Sequence, residues 1–197
     1  KLVVESEMSN ANISFGEFDD IVVSACPRPR EMSQVVAGRG VSSSKITLWQ
    51  DENFFRWRFG SGRKTYIFYY YRRAGVIKGF VVVGVSPITG RGYILDYGQM
   101  DDRAVEKILK FIIRMKHFDV LSIYNLGLSD PMVKTLSALR FETHGMIRII
   151  EKKVTGELPL LLRPVRREYD ETDFFVRGID VRKKENWTLK GICSDAA

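Results

Sequence analysis

Cysteine and histidine are scarce in this sequence. Its 197 residues include two cysteines, Cys26 and Cys193, and two histidines, His117 and His144. The cysteines lie far apart and lack metal-ligand spacing, which argues against a disulfide scaffold and favours a reducing, cytoplasmic setting. Because these few residues cannot supply a multi-histidine or cysteine-rich centre, we expect no zinc or iron site.

Long apolar runs are absent as well. The longest of them, such as residues 79–85, are far shorter than the roughly 20 residues that cross a bilayer, so we expect no membrane span. No charged-then-apolar leader is visible at Lys1. The chain also begins without Met, so we expect a piece of a longer protein.

The composition is otherwise that of a globular protein with an excess of positive charge. Hydrophobic residues make up 45% and charged residues 28% of the chain, as in soluble folded domains. The formal net charge of +7 permits anionic partners such as nucleotides, CoA, nucleic acid, anionic glycans or a membrane surface. The basic residues are dispersed over several short clusters, which is more typical of a solvated surface than of one binding stripe.

The sequence predicts two parts. Residues 1–48 are weakly periodic and rich in Ser, Gly, Asn and Pro, so we expect a weakly structured N-terminal segment with one short helix. That helix is expected at residues 18–24, and it should extend no further because Pro27 and Pro29 would stop it. Residues 49–197 carry the strong periodic patterns and are expected to form the main domain, with a C-terminal β extension.

The main domain reads as strands followed by alternating helices and strands. An Asp51 cap is expected to open a short helix over residues 51–59. β-Branched and aromatic runs predict the strands, and apolar residues at steps of three and four predict the helices. The expected strands are 64–72, 77–85, 92–97, 119–124, 141–152, 158–166 and 174–180, and the expected helices are 102–116 and one that opens at 129–131.

The order of these elements indicates an α/β (α+β) fold with a mixed, mostly antiparallel sheet and helices on its faces. The first two strands of the main domain are joined by Ala74 and Gly75 and should form a hairpin. A helical crossover joins strand 92–97 to strand 119–124. These two strands should therefore be parallel neighbours in a right-handed connection.

Several stretches carry a resemblance to a known family. Residues 121–125, LSIYN, are followed by a helix whose end, residues 136–142, reads LSALRFE. This order resembles the GNAT (N-acetyltransferase-like) superfamily. Residues 50–59, QDENFFRWRF, and the closing DFFV and GID stretches are similar to the C-terminal lobe of two-lobed GNAT-like proteins of polysaccharide biosynthesis, with Gln50 where those proteins have Arg.

The resemblance implies an acyltransferase. Such an enzyme moves an acyl group from acetyl-CoA or another acyl-CoA, or an aminoacyl group from a carrier, to an amine on a small molecule, a sugar or a cell-surface precursor. In this family, backbone N–H groups of a glycine-rich loop at a helix start hold the CoA pyrophosphate. The corresponding loop here, residues 98–104, reads GQMDDRA and has Asp102 in place of the first glycine.

We therefore expect a degenerate pyrophosphate loop. An Asp at a helix start accepts the N–H donors that a phosphate would use, and it adds negative charge where the ligand needs positive potential. A self-capped helix is the alternative interpretation of the same residues. The cofactor-binding candidates that the resemblance implies are Tyr97, Gly98, Gln99, Met100, Arg103 and Asn125.

The catalytic candidates are Asp96 as general base and Tyr124 as a substitute proton donor. The family often places a tyrosine where this chain has Leu136, which cannot donate a proton. Asp96 lies either on the solvated face of its strand or inside the fold, where a carboxylate is suited to proton abstraction. Glu142 and His144 are further candidate bases, although a surface role is expected for His144.

Three alternatives stay open. Arg56-Trp57-Arg58 either packs, with Trp and Phe at the sheet edge and the arginines paired with acids such as Asp51, or binds an anionic glycan or phosphate. The chain is either an acyltransferase or a non-catalytic GNAT-like lobe, a binding module whose partner is a second such lobe. Nucleic-acid binding through residues 69–73 is less expected, because aromatics on both faces of a hairpin favour burial.

Overall fold

A computed structural model describes residues 2–5, 13–38, 46–60, 65–86, 89–123, 128–143, 170–183 and 186–188. The strands in these ranges are β1 Leu2–Glu5, β2 Gly16–Phe18, β3 Ile21–Ser24, β4 Ile46–Thr47, β5 Tyr66–Arg73, β6 Val76–Val85, β7 Arg91–Gln99, β8 Val120–Ile123, β9 Glu142–Thr143, β10 Phe175–Val176, β11 Ile179–Asp180 and β12 Trp187–Thr188. The helices are α1 Pro29–Ala37, α2 Glu52–Phe59, α3 Ala104–Met115 and α4 Asp130–Ala138, and Glu171–Phe174 forms a turn of 3-10 helix.

Eight of the strands form one mixed sheet in the order β2-β3-β5-β6-β7-β8-β1-β9. Its neighbours run antiparallel, except for β7 and β8, which are parallel and joined through α3. The predicted fold class and the predicted parallel pair are both confirmed. Two small pairs lie apart from this sheet: β10 with β11, antiparallel, and β4 with β12, parallel.

The hairpin β5–β6 forms as predicted. Ala74 and Gly75 both adopt positive φ, 49° and 77°, as tight turns matched to the twist of the strands require. The tyrosines of β5 are buried on both faces of the sheet: Tyr69 in the cluster with α3, and Tyr70 in the cluster with α1 and α2. These rings are therefore not available for stacking on nucleic-acid bases.

Helices cover both faces of the central strands. The predicted apolar stripe of α3 is confirmed, and it packs on one face together with α4. The buried side chains of the first three helices are Ala104, Val105, Ile108, Leu109, Phe111 and Ile112 from α3, and Met32, Val35, Phe55 and Phe59 from α1 and α2. Because each Val, Leu, Ile, Phe or Met side chain contributes about 1.5–3 kcal/mol when it leaves water, these faces fix the strands that carry the site.

The helix predicted at residues 18–24 is wrong. This stretch forms β2, a turn at Asp19 with φ 52°, and β3. The β-branched run of β3 pairs with β5, and this pairing outweighs any local helical pattern. Pro29 does not stop a helix but opens α1, since proline is tolerated in the first helical turn.

The N-terminal residues are consequently part of the main sheet. β1 lies between β8 and β9, and β2 and β3 extend the opposite edge. The predicted boundary after residue 48 thus divides strands of one sheet. The weak periodicity of this part reflects short strands, whose pairing partners lie far away in sequence.

Near the C-terminus the structure refines one prediction and leaves others outside the described residues. The strand expected at residues 174–180 is a hairpin, β10–β11, because Arg177 and Gly178 both have positive φ. The strand expected at 141–152 is described only at β9. The strand expected at 158–166 lies outside the described residues.

Candidate active site

The parallel ladder between β7 and β8 is short. Residues 91–94 pair with residues 120–123, and β7 then continues to Gln99 while β8 ends at Ile123. On the other side of β7, Val82 of β6 pairs with Asp96, and the next residue of β6, Val83, pairs with Ile94. Leu95 of β7 is therefore an inserted residue. A β-bulge of this kind bends and twists a strand. It lies immediately after Ile94, the last parallel partner of β8 in the described residues.

The backbone beyond the bulge has a defined orientation. Met100 donates its N–H to the carbonyl of Lys78 on β6, at a distance of 2.8 Å. Because N–H groups alternate along a strand, those of Tyr97 and Gln99 are directed to the opposite side, towards β8. This edge of β7 is thus the place where an extended ligand could meet main-chain donors.

Asp96 is fully buried, with 0% of its surface exposed. It pairs with Val82, whose side chain belongs to the cluster under α1 and α2. Its Oδ2 accepts a hydrogen bond from Nε2 of Gln50 at 2.6 Å, and its Oδ1 accepts one from the N–H of Tyr97 at 2.8 Å. The sequence left two positions open for the Asp96 side chain, the solvated face of the strand and the interior of the fold, and the interior is correct.

Tyr97 and Gly98 lie on opposite faces of β7. The Tyr97 ring is buried in the cluster with α3. A Cβ at Gly98 would lie 2.6 Å from Cε1 of Phe80 and 3.2 Å from Cγ1 of Val35. The missing side chain therefore lets α1 and β6 pack closely on β7.

Gln99 caps α3 from the preceding strand. Its Oε1 accepts the N–H of Val105 at 3.2 Å, in the first turn of the helix. Asp101 contributes as well, because its Oδ1 accepts the N–H of Arg103 at 3.1 Å. The N-cap residue is Arg103, whose own side chain makes no capping hydrogen bond. Side chains of this chain thus bind donors at the helix start that a phosphate would also use.

Basic side chains surround Asp101. Its hydrogen bond from the Arg103 N–H, and then its 3.4 Å contact with Arg73, hold the pKa of its carboxyl below the usual range. Lys107, one turn into α3, donates to the Tyr71 hydroxyl at 2.7 Å, and this bond raises the pKa of Lys107. At neutral pH the Asp101 carboxyl is therefore ionised, with Arg73 and Lys107 as its basic neighbours.

Met100 forms the rim of this region. It is 45% exposed, and a Cβ at Gly38 would lie 2.6 Å from Met100 Cε. Met100 thus covers the C-terminal end of α1. Its main chain is fixed by the bond to β6, so it keeps a defined position beside the start of α3.

The other sequence candidates are placed as follows. Tyr124 and Asn125 directly follow Ile123 of β8 in sequence but lie outside the described residues, as does His144. Glu142 lies on β9, which is separated from β7 by β8 and β1. The structure thus brings together Asp96, Tyr97, Gly98, Gln99, Met100 and Arg103.

The Arg56-Trp57-Arg58 run packs differently from the expectation. Phe55 and Phe59 fill the core, whereas Trp57 is 72% exposed, so Trp at the sheet edge is wrong. Arg56 pairs with Glu52 rather than Asp51. Asp51 caps α2 as predicted, accepting the N–H of Phe54 at 2.7 Å.

Two features of the site were missed from the sequence. Gln50 contacts Asp96 across 46 positions of sequence, and no local pattern marks such a pair. The bulge at Leu95 was missed because the run of residues 92–97 reads as a regular strand. The one available signal was polar: an aspartate within an otherwise apolar strand requires a buried partner.

Neither a family model nor a curated protein matches this chain. Among solved structures, the chain is similar to ribosomal-protein-S5-alanine acetyltransferase from Vibrio fischeri, at 14% identity and a TM-score of 0.44, over 68% of this chain and 85% of that one.

None of the helices described is both long and apolar enough to cross a membrane. Within the same residues, no group of three or more His, Cys, Asp or Glu side chains is placed to hold a metal ion.

Proposed function

We propose that this protein is an N-acyltransferase that binds an acyl-CoA thioester along the edge of β7 beyond Ile94. The acceptor would be an amine on a small molecule or a glycan precursor. The observation that carries the proposal is the geometry of β7: within the described residues the last parallel pair with β8 is Ile94 with Ile123, and beyond it the Gln99 N–H is directed to that side. An extended thioester arm could lie there as a strand does.

The proposed reaction needs little chemistry from side chains. The amine nitrogen attacks the thioester carbon, the carbon–sulfur bond breaks, and the amide forms as CoA leaves as a thiolate. The proton lost by the amine balances the one that the thiolate takes up. The Gln99 N–H at the β7 edge would stabilise the developing charge on the carbonyl oxygen, and the rest of the rate enhancement would come from positioning.

The start of α3 is the proposed position for the CoA pyrophosphate. Arg73, Arg103 and Lys107 supply positive charge there, in addition to the helix dipole. Asp101 and Asp102 oppose this charge. We therefore propose that the loop is degenerate and binds phosphate more weakly than a glycine loop would.

We propose different roles for Asp96 and Tyr124. Both carboxylate oxygens of Asp96 accept hydrogen bonds inside the fold, which favours a role in holding the strand edge over a role as general base. Tyr124 follows the last parallel partner, Ile123, and stays our candidate for protonating the thiolate. Asn125 stays a candidate for contacting the cofactor arm from the β8 side.

One observation favours the second candidate function, a non-catalytic GNAT-like lobe. Side chains of Gln99 and Asp101 bind N–H groups at the start of α3. In that case the lobe would serve as a binding module, and a second lobe of a larger protein would carry the chemistry.

Calorimetry with acetyl-CoA, followed by turnover with a panel of amines, tests both functions. We expect heat on titration with acetyl-CoA, and free thiol release with at least one amine. No heat at millimolar acetyl-CoA would overturn the acyltransferase proposal. Binding without thiol release from any amine would favour the non-catalytic lobe.

A further inference from the structure

A hydrogen-bonded chain connects the segment before α2 to the edge of β7. Gln50 Nε2 donates to Oδ2 of Asp96, and Oδ1 of Asp96 accepts the N–H of Tyr97. Gln50 lies one residue before Asp51, the cap of α2, whereas Asp96 lies one residue after the bulge at Leu95. The chain thus ends on a main-chain donor of the edge described above.

The burial of Asp96 makes its hydrogen bonds to Gln50 and Tyr97 necessary. A carboxylate with no exposed surface must be held by hydrogen bonds. Gln50 supplies a neutral donor to one oxygen, which leaves the other oxygen to bind the Tyr97 amide. Without Gln50, the Asp96 side chain could turn towards other donors and release the strand edge.

We propose that Gln50 is a positioning residue for acyl transfer, acting through Asp96 on the Tyr97 amide. This inference rests on the proposed function. It fixes where the thioester carbonyl can bind: Asp96 occupies the Tyr97 N–H, so the Gln99 N–H, next on the same side, receives the carbonyl oxygen. Gln50 therefore sets the register of the acyl group on β7.

The fold does not depend on Gln50 in the same way. α2 is anchored by Phe55 and Phe59, which are buried in the core, and its start is capped by Asp51. Removing the Gln50 amide should therefore leave α2 in place. The hydrogen bond that is lost is the one to the Asp96 carboxylate, which in turn binds the Tyr97 amide.

The test uses three variants of the whole chain. Gln50→Met keeps the length of the side chain and removes the donor. Gln50→Arg keeps a donor and is the rescue variant. Gln34→Met is the matched control, because Gln34 is an exposed glutamine on α1. Each is measured for hydrogen exchange of the Tyr97 amide by NMR without ligand, and for kcat and KM with acetyl-CoA and an accepted amine.

We expect Gln50→Met to speed exchange at Tyr97 about tenfold and to lower kcat about tenfold, with KM for acetyl-CoA changed less than about threefold. Gln50→Arg should recover most of both losses, and Gln34→Met should match the wild type. Unchanged exchange and unchanged kcat in Gln50→Met would overturn the proposal, as would equal losses in Gln34→Met.

The two proposals fail in different ways. If the wild type shows no turnover, the proposed function fails and the positioning role fails with it, while the exchange data still show whether Gln50 holds the Tyr97 amide. If the wild type turns over and Gln50→Met equals it, only the positioning role is overturned.

Discussion

Ile94 of β7 pairs with Ile123 of β8, and these are the last partners of the parallel ladder within the described residues. The bulge at Leu95 follows directly, and the Asp96 carboxylate then accepts the N–H of Tyr97. The end of one ladder, an inserted residue and a buried acid therefore coincide at one point of the sheet. Irregularities of strands are enriched next to active sites, because they redirect side chains and end pairing.

Replacing Asp101 with Asn should strengthen binding of acetyl-CoA about threefold to fivefold, because one negative charge leaves the start of α3. Asn retains the oxygen that accepts the Arg103 N–H, so the helix start should keep its shape. Calorimetry measures the affinity. Asp130→Asn, in the first turn of α4, is the control and should not change it. Equal or weaker binding by Asp101→Asn would contradict a phosphate position at α3.

Gly98→Ala should destabilise the fold by about 1–3 kcal/mol, as overpacking of a dense core does. The added methyl group would meet Phe80 and Val35. Denaturant unfolding measures the loss. In the double variant with Phe80→Leu, the two free-energy losses should not be additive, because the smaller side chain accepts the methyl group. Additive losses would show that Gly98 matters for another reason.

His117 should make the protein less stable in mild acid. It is buried beside Tyr69, whose hydroxyl lies 3.0 Å from its Nδ1, and burial lowers the pKa of His117. Above about pH 6.5 the ring is neutral in both folded and unfolded chains, so it contributes no pH dependence. As the pH falls below that value, the unfolded chain takes up a proton that the folded chain refuses, and stability falls until the lowered folded pKa is passed.

Urea unfolding between about pH 5 and pH 8 tests this sign. The variant His117→Gln removes the titrating group and should flatten the curve below about pH 6.5, whatever its effect on stability at neutral pH. An identical slope in His117→Gln and the wild type would assign the acid sensitivity to other groups.

The elements with strong local patterns could be predicted from the sequence. The apolar stripe of α3 and the Ala74-Gly75 turn each specify their element locally, and the crossover then determines that β7 and β8 are parallel. The segment at residues 18–24 could not be predicted in this way. Its second strand, β3, is defined by pairing with β5, a partner distant in sequence, and β2 then pairs with β3.

In the candidate site, too, features set by local sequence order could be predicted and those that depend on distant contacts could not. Gln99 and Arg103 could be placed at the start of α3, because the strand–turn–helix order puts them there. The partner of Asp96 could not be predicted, since Gln50 lies on a different element and its role depends on the packing of α2. Gly98 suggested a phosphate loop, whereas the structure uses it for contact with Phe80.

We propose that acetyl-CoA binds along the edge of β7, and NMR titration of the isotope-labelled protein with acetyl-CoA tests this binding site most directly. We predict that the largest amide shifts fall on residues 95–103, with Gln99 foremost because its N–H would receive the thioester carbonyl. Shifts confined to other elements, or none at millimolar acetyl-CoA, would contradict the account.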